Sequence, residues 1–256
     1  MFSIKKFFKR LLIPLLILII WEIVSLKINN NFILPGWEDI LPIFLTPTAP
    51  LFGGPSLLFN TIVSLERVIF GFLLAAAVAI PIGLLSGWSK EVYEYSGSII
   101  SILKPVPPIA WLPLAIAWFS IGFTSIIFII FLGALFPILL NTIDGVRNVR
   151  KSWLEAAETL GATTFEKFLT VIIPGTFPSI WTGLRVAFGV AWMCVVAAEM
   201  LPGTSSGLGF LIMYVYNLGQ IQVIVAGMVV IGIIGIASDM FFKFGQDRLF
   251  DWQGKE

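Results

Sequence analysis

Four ionisable residues stand inside the apolar runs of this sequence: Glu22, Arg67, Arg185 and Glu199. A charge in hydrocarbon is costly, so such residues pair, snorkel toward water, or line a passage for ions and polar solutes. Arg185 and Glu199 are fourteen positions apart, about 21 Å along a helix at 1.5 Å per residue, and cannot pair within one helix. Arg67 and Glu199 fall near the same end of their runs, where a pair between helices can form. Glu66 adjoins Arg67 but points away from it on a helix. Trp192 and Met193 share a run with Arg185 and Glu199, and these four are the candidate lining of a pathway. Gly183, Ala187 and Ala191, spaced by four, support a competing reading of this run as a face for close helix packing.

Bond-making chemistry has no comparable foothold. The sequence contains no histidine, which removes the commonest general base and metal ligand. It shows no carboxylates at hydrolase spacing, no nucleophile with its base and no metal-ligating cluster. A phosphate-binding G-x-x-x-x-G-K-[ST] run is also absent, so ATP hydrolysis is not expected of this chain. Its single cysteine, Cys194, lies in an apolar run and reads as a small buried hydrophobe.

The elements that must position these residues are membrane spans. The chain of 256 residues is 58% hydrophobic and 12% charged, with a mean hydropathy of +0.97. Soluble domains carry about 25% charged residues, so the composition points to an all-α integral membrane protein. A net charge of +1 gives no reason to expect nucleic-acid binding. About six transmembrane helices are expected, over 11–28, 60–88, 108–119, 125–143, 177–201 and 221–244, in one transmembrane domain across 1–256. The first follows Lys5, Lys6, Lys9 and Arg10, and no small-residue cleavage site follows it, so it reads as an uncleaved span. Residues 29–59 read as a loop with a short helix after Pro35, 89–97 as a polar loop, and 202–207 as a turn. Six spans leave both termini on one side. Lys90, Lys104, Arg147, Arg150, Lys151, Lys167, Lys243, Arg248 and Lys255 share that side, against Lys27 and Arg67 on the other. The basic excess marks the side of the termini and of residues 144–174 as cytoplasmic.

Residues 152–174, SWLEAAETLGATTFEKFLTVIIP, are too polar for lipid. Ser152 with Glu155, and Thr163 with Glu166, have the spacing of capping boxes. Gly161 stands where a first helix would end in a left-handed residue. Pro174 interrupts the second helix or opens the next. Trp153, Ala156, Ala157 and Leu160 share one helical face, and Phe165, Phe168 and Leu169 the next. Such faces either pack back on the bundle or enter a partner's groove.

Glu155-Ala156-Ala157, Gly161 and Val171-Ile172-Ile173-Pro174 resemble the EAA loop of ABC-importer permeases, E-A-A-x3-G-x9-I-x-L-P, with Val171 for Ile and Ile173 for Leu. The runs 107–119, 182–201 and 206–212 are similar to the nitrate/sulfonate/taurine/bicarbonate branch of that family. The resemblance spans about residues 60–245. It implies a type I importer permease whose cytosolic loop, 144–174, meets ABC ATPase subunits through Ser152, Glu155, Ala156, Ala157, Gly161 and Pro174. ATP and Mg would be held by that ATPase, with no cofactor in this chain. The resemblance also implies a second permease copy, most simply in a homodimer, an extracytoplasmic substrate-binding protein, and a small anion as cargo. A secondary transporter or channel working without ATP is the competing reading. The missing histidines and scarce intramembrane carboxylates count against it. An inert membrane anchor is a third, and the capped loop counts against that.

Overall fold

The computed structural model describes residues 4–250, with side chains from Leu12 onward. Its helices are α1 (Ile4–Ile28), α2 (Trp37–Leu45), α3 (Leu57–Trp88), α4 (Lys90–Leu103), α5 (Leu112–Phe119, led in by a 3-10 turn at Pro108–Trp111) and α6 (Phe123–Arg147). Then come α7 (Lys151–Thr159), α8 (Thr164–Lys167), α9 (Ile173–Glu199), α10 (Leu208–Asn217) and α11 (Ile221–Leu249). Among the described residues, four helices are long and apolar enough to cross a membrane. These are α3, α6, the continuous helix Thr164–Glu199 and α11, with mean hydropathies of 2.6, 2.6, 1.7 and 2.4.

The expected third span takes another form. Residues 108–119 rise only about 18 Å, short of a hydrocarbon core of about 30 Å. They become a crossing only together with α4, and the two are bent by 83°. Residues 89–97, expected as a loop, are the N-cap and first turns of α4, where Ser89 Oγ accepts the Val92 N–H at 3.4 Å. The expected first span corresponds to α1. The basic side chains at 5, 6, 9 and 10, and Lys255, lie outside the described residues.

Three helices make the centre. Gly71 and Gly83 of α3 face Ile130 and Thr142 of α6, so these two helices run parallel. A Cβ at either glycine would lie 2.6 Å from its neighbour; the missing side chains let the backbones close up. Gly133 faces Cys194 and Asn141 faces Gly183, so α6 and α9 run antiparallel. α11 lies antiparallel on α9, where Trp181 Nε1 donates to Phe242 O at 2.8 Å and Trp192 Nε1 to Ile231 O at 3.1 Å. One end of the bundle therefore gathers the C-termini of α3, α6 and α11 with residues 148–172; we call it the loop end. The far end gathers the start of α3, the end of α9 and all of α10.

α1 is pinned near that far end. Trp21 Nε1 donates to Pro35 O at 3.0 Å, Ser25 Oγ to Leu34 O at 2.9 Å, and Glu22 Oε2 accepts the Trp37 N–H at 3.1 Å. Glu22 thus places its carboxylate at the N-terminus of α2, where the helix dipole favours it.

Candidate functional site

At the far end, Asn60, Ser64 and Arg67 lie on one face of α3 by their four- and three-residue spacing. That face meets the last turn of α9 and the start of α10. Glu199 is fully buried. Its carboxylate accepts from Arg67 Nη1 at 2.7 Å, Ser64 Oγ at 2.7 Å and the Gly209 N–H at 3.2 Å. Arg67 also donates to Ser206 O and Oγ at 2.7 and 3.1 Å. The Gly207 N–H goes to Asn60 Oδ1 and the Leu208 N–H to Ser64 Oγ, both at 2.8 Å. The first turn of a helix has no intrahelical acceptors. Here α10 receives them from side chains of α3 and α9. Gly207, at φ +112°, lies against the Glu199 carboxylate, and Gly209 against Val196 O, where a Cβ would overlap in each case. The pairing of Arg67 with Glu199 foreseen from position is present, and Glu66 points outward as expected. The helix α10 was not foreseen; it rises about 15 Å, half a bilayer, and its cap comes from distant residues.

A second ion pair joins the middle of α9 to α11. Arg185 Nε and Nη2 donate to Asp239 Oδ1 and Oδ2 at 2.7 and 3.0 Å. The two side chains are 33% and 56% exposed. Sequence reasoning missed Asp239, although it carried the same signal as Arg185, a charge inside an apolar run. The four pathway candidates separate here. Glu199 and Trp192 are buried in the bundle, whereas Arg185 and Met193 lie on the outer face of α9 with Gly189 between them; Met193 is 73% exposed.

At the loop end, α7 begins at Lys151 with Arg150 as N-cap and no side-chain cap. The expected Ser152–Glu155 box is therefore not formed. Val149 is buried with Val146 and Ile172, and this anchor starts the helix two residues early, leaving Ser152 inside it. Ser152, Glu155 and Ala156 are exposed, while Ala157 is half-buried and Leu154 packs on the Val149 cluster. Ala156 and Ala157 thus do not share a face. Trp153 stands beside Gly175, under the Arg150 guanidinium at 5.5 Å.

Gly161 has φ +81°. Its N–H bonds Glu158 O at 2.9 Å and the Ala162 N–H bonds Ala157 O at 3.0 Å, the paired bonds of a Schellman ending. The Thr163–Glu166 box forms as expected: Glu166 Oε2 accepts the Thr163 N–H at 2.7 Å, and Thr163 Oγ accepts the Glu166 N–H at 3.3 Å. Lys167 reaches Glu158 at 3.6 Å and ties the two short helices together. Pro174 is the second residue of α9, and a π-helical segment at 168–172 precedes it. Proline removes the donor for the carbonyl four residues back and crowds it. The wider π turn relieves this, with the Ile173 N–H reaching Phe168 O.

A bundle of membrane-length helices, with a capped helical loop at one end and a buried ion pair at the other, is the architecture of a multi-pass membrane protein. Residues 79–252 match the family model described as binding-protein-dependent transport system inner membrane component, and the chain belongs to that family. It is an ABC-importer permease subunit, as the EAA resemblance implied. It is 48% identical to a protein of Methanocaldococcus jannaschii provisionally named an ABC transporter permease, over 97% of this chain and 93% of that one. It is 34% identical to the taurine transport system permease protein TauC of Escherichia coli, over 95% and 88% of the two chains. Identity to the nitrate import permease protein NrtB of a Synechocystis species is 35%, over 89% and 84%. A chain of the inward-facing MetNI methionine ABC transporter shares the fold. Its TM-score is 0.58 at 18% identity, over 70% of this chain and 91% of that chain.

Proposed function

We propose that two copies of this chain form the passage for a small anion in an ATP-driven importer, and that residues 144–174 couple it to cytosolic ATPase subunits. The observation that carries this reading is a rigid loop with apolar side chains turned outward. Leu160 is 88% and Phe165 69% exposed on helices locked by the Schellman ending, the Thr163–Glu166 box and the Lys167 bridge. Apolar side chains presented on a stiff frame suit insertion into a partner's groove. From α8 the chain continues unbroken to Glu199, so displacement of the loop is displacement of α9. Alternating access then follows as rigid-body reorientation of the helices.

Arg147, Arg150, Lys151, Lys167, Lys243 and Arg248 lie at the loop end, which supports a cytoplasmic loop and cytoplasmic termini. ATP and Mg belong to the partner ATPase, and an extracytoplasmic binding protein delivers the cargo, in keeping with the family's description. An anion is supported by the likeness to permeases named for taurine, nitrate, aliphatic sulfonates and bicarbonate. Arg185 and Met193 face the passage, with Trp192 and Glu199 supporting that wall from within.

The test is uptake of labelled nitrate and taurine by cells carrying the whole importer, with permease level and ATPase co-purification measured in parallel. Gly161→Val forces a β-branched residue to φ +81° in open space. Ala157→Glu drives a charge against the bundle. Both are expected to abolish uptake while the permease reaches the membrane at near-normal level. Normal uptake by both variants would sink the coupling role.

A further inference from the structure

Resting on the reading of α9's outer face as a wall of the passage, we infer that Arg185 is an oxyanion-binding residue and that Asp239 is its resting occupant, displaced when an anion passes. Arg185 lies at the middle of α9 and Asp239 one turn inward of Lys243 in α11, yet both are partly exposed on the outside of the bundle. Charges at such depth face a bundle interior or a water-filled cavity, since lipid is costly for them. The bonds that join α9 to α11 do not need this pair. Trp181 and Trp192 donate to α11 carbonyls on either side of it.

The contact itself is the chemistry of anion recognition. A guanidinium fork meets two carboxylate oxygens at 2.7 and 3.0 Å, and the same two-point contact suits nitrate, bicarbonate or a sulfonate. Asp239 is the more exposed partner, at 56% against 33%, so its carboxylate is the readier of the two to take up water when an anion replaces it. One turn along α9, Gly189 has open space where a side chain would be, which leaves room beside the guanidinium. A passage must hold its ion well enough to admit it and weakly enough to release it. An unopposed arginine would hold it too well, and Asp239 competes for the same donors.

The two roles, anion site and helix tie, predict different signs. The experiment is equilibrium binding of labelled nitrate and labelled taurine to the permease–ATPase complex in lipid nanodiscs, without binding protein. Asp239→Asn is expected to tighten binding about two- to fivefold, the modest factor of an exposed ion pair. Arg185→Gln is expected to lose it, and Arg185→Lys to keep a weakened part. A mere tie between helices makes Asp239→Asn and Arg185→Gln shift together, or not at all, and either result overturns the inference, as does absence of binding in every variant. Asp239→Ser carries the same expectation should Asp239→Asn not assemble. If uptake still requires the loop while Asp239→Asn leaves binding unchanged, the importer reading stands and the anion site falls.

Discussion

α9 carries an ion pair at its far end and another at its middle, and both have a closest contact of 2.7 Å. Their surroundings differ. Arg67 and Glu199 are 9% and 0% exposed. The carboxylate takes two more hydrogen bonds besides the arginine's, and the guanidinium has Ser206 as well. Arg185 and Asp239 bond each other on the outer surface of the bundle, 33% and 56% exposed. Distance therefore says little about what an ion pair does. In the buried pair each charge depends on its partner, because an unpaired charge there has lost its hydration. In the open pair either charge can exchange its partner for water or for another ion at little cost. One pair closes a structure, and the other can be traded.

The contrast is sharpest in stability. Glu199→Ala leaves Arg67 charged and buried and takes from the first turn of α10 one of its acceptors, that of the Gly209 N–H. It is expected to cost about 3–5 kcal/mol, read as a collapse of the melting temperature in detergent with early loss of the monodisperse peak. Arg67→Met combined with Glu199→Leu should be less damaging than Glu199→Ala, since no lone charge remains. Recovery stays partial, because the Gly209 N–H and Ser206 lose their partners. A double variant worse than the single would mean the network matters for its shape rather than its charge. A smaller effect is expected at the loop end. Thr163→Ala removes a cap, about 1 kcal/mol, and speeds amide exchange over 163–167 alone. Ser152→Ala should leave exchange across α7 unchanged. Smallest of all, Arg185→Gln and Asp239→Asn should barely move the melting temperature. A loss as large as that of Glu199→Ala would erase the distinction between the two pairs.

What the sequence discloses depends on how local each device is. The Thr163–Glu166 box and the turn at Gly161 involve residues a few positions apart, and both are legible by spacing. Ser152 and Glu155 have equally good spacing, yet the helix starts ahead of them because Val149 is anchored by Ile172, which lies outside any local pattern. Charges inside apolar runs brought Arg67 and Glu199 together on depth alone. The cap of α10 was out of reach, since two of its three acceptors stand 144 and 147 positions away and a ten-residue apolar helix resembles an interrupted span. The bend after α4 was half legible. Its prolines mark a break, but the helix of residues 90–97 depends on packing, with Tyr93 under the Arg147 guanidinium at 3.4 Å.

The π turn at 168–172 has a rotational consequence. Each residue of an α-helix advances about 100° around the axis, and a π turn spends an additional residue before the α pattern resumes. The faces of α8 are therefore out of phase with those of α9 by about that angle. A load applied at Phe165 arrives on α9 at a different azimuth from the one it would reach through an unbroken α-helix. The π turn ahead of Pro174 thus sets the azimuth of the loop on α9, and deleting one residue from 168–172 would turn the loop around the axis of α9 rather than merely shorten it.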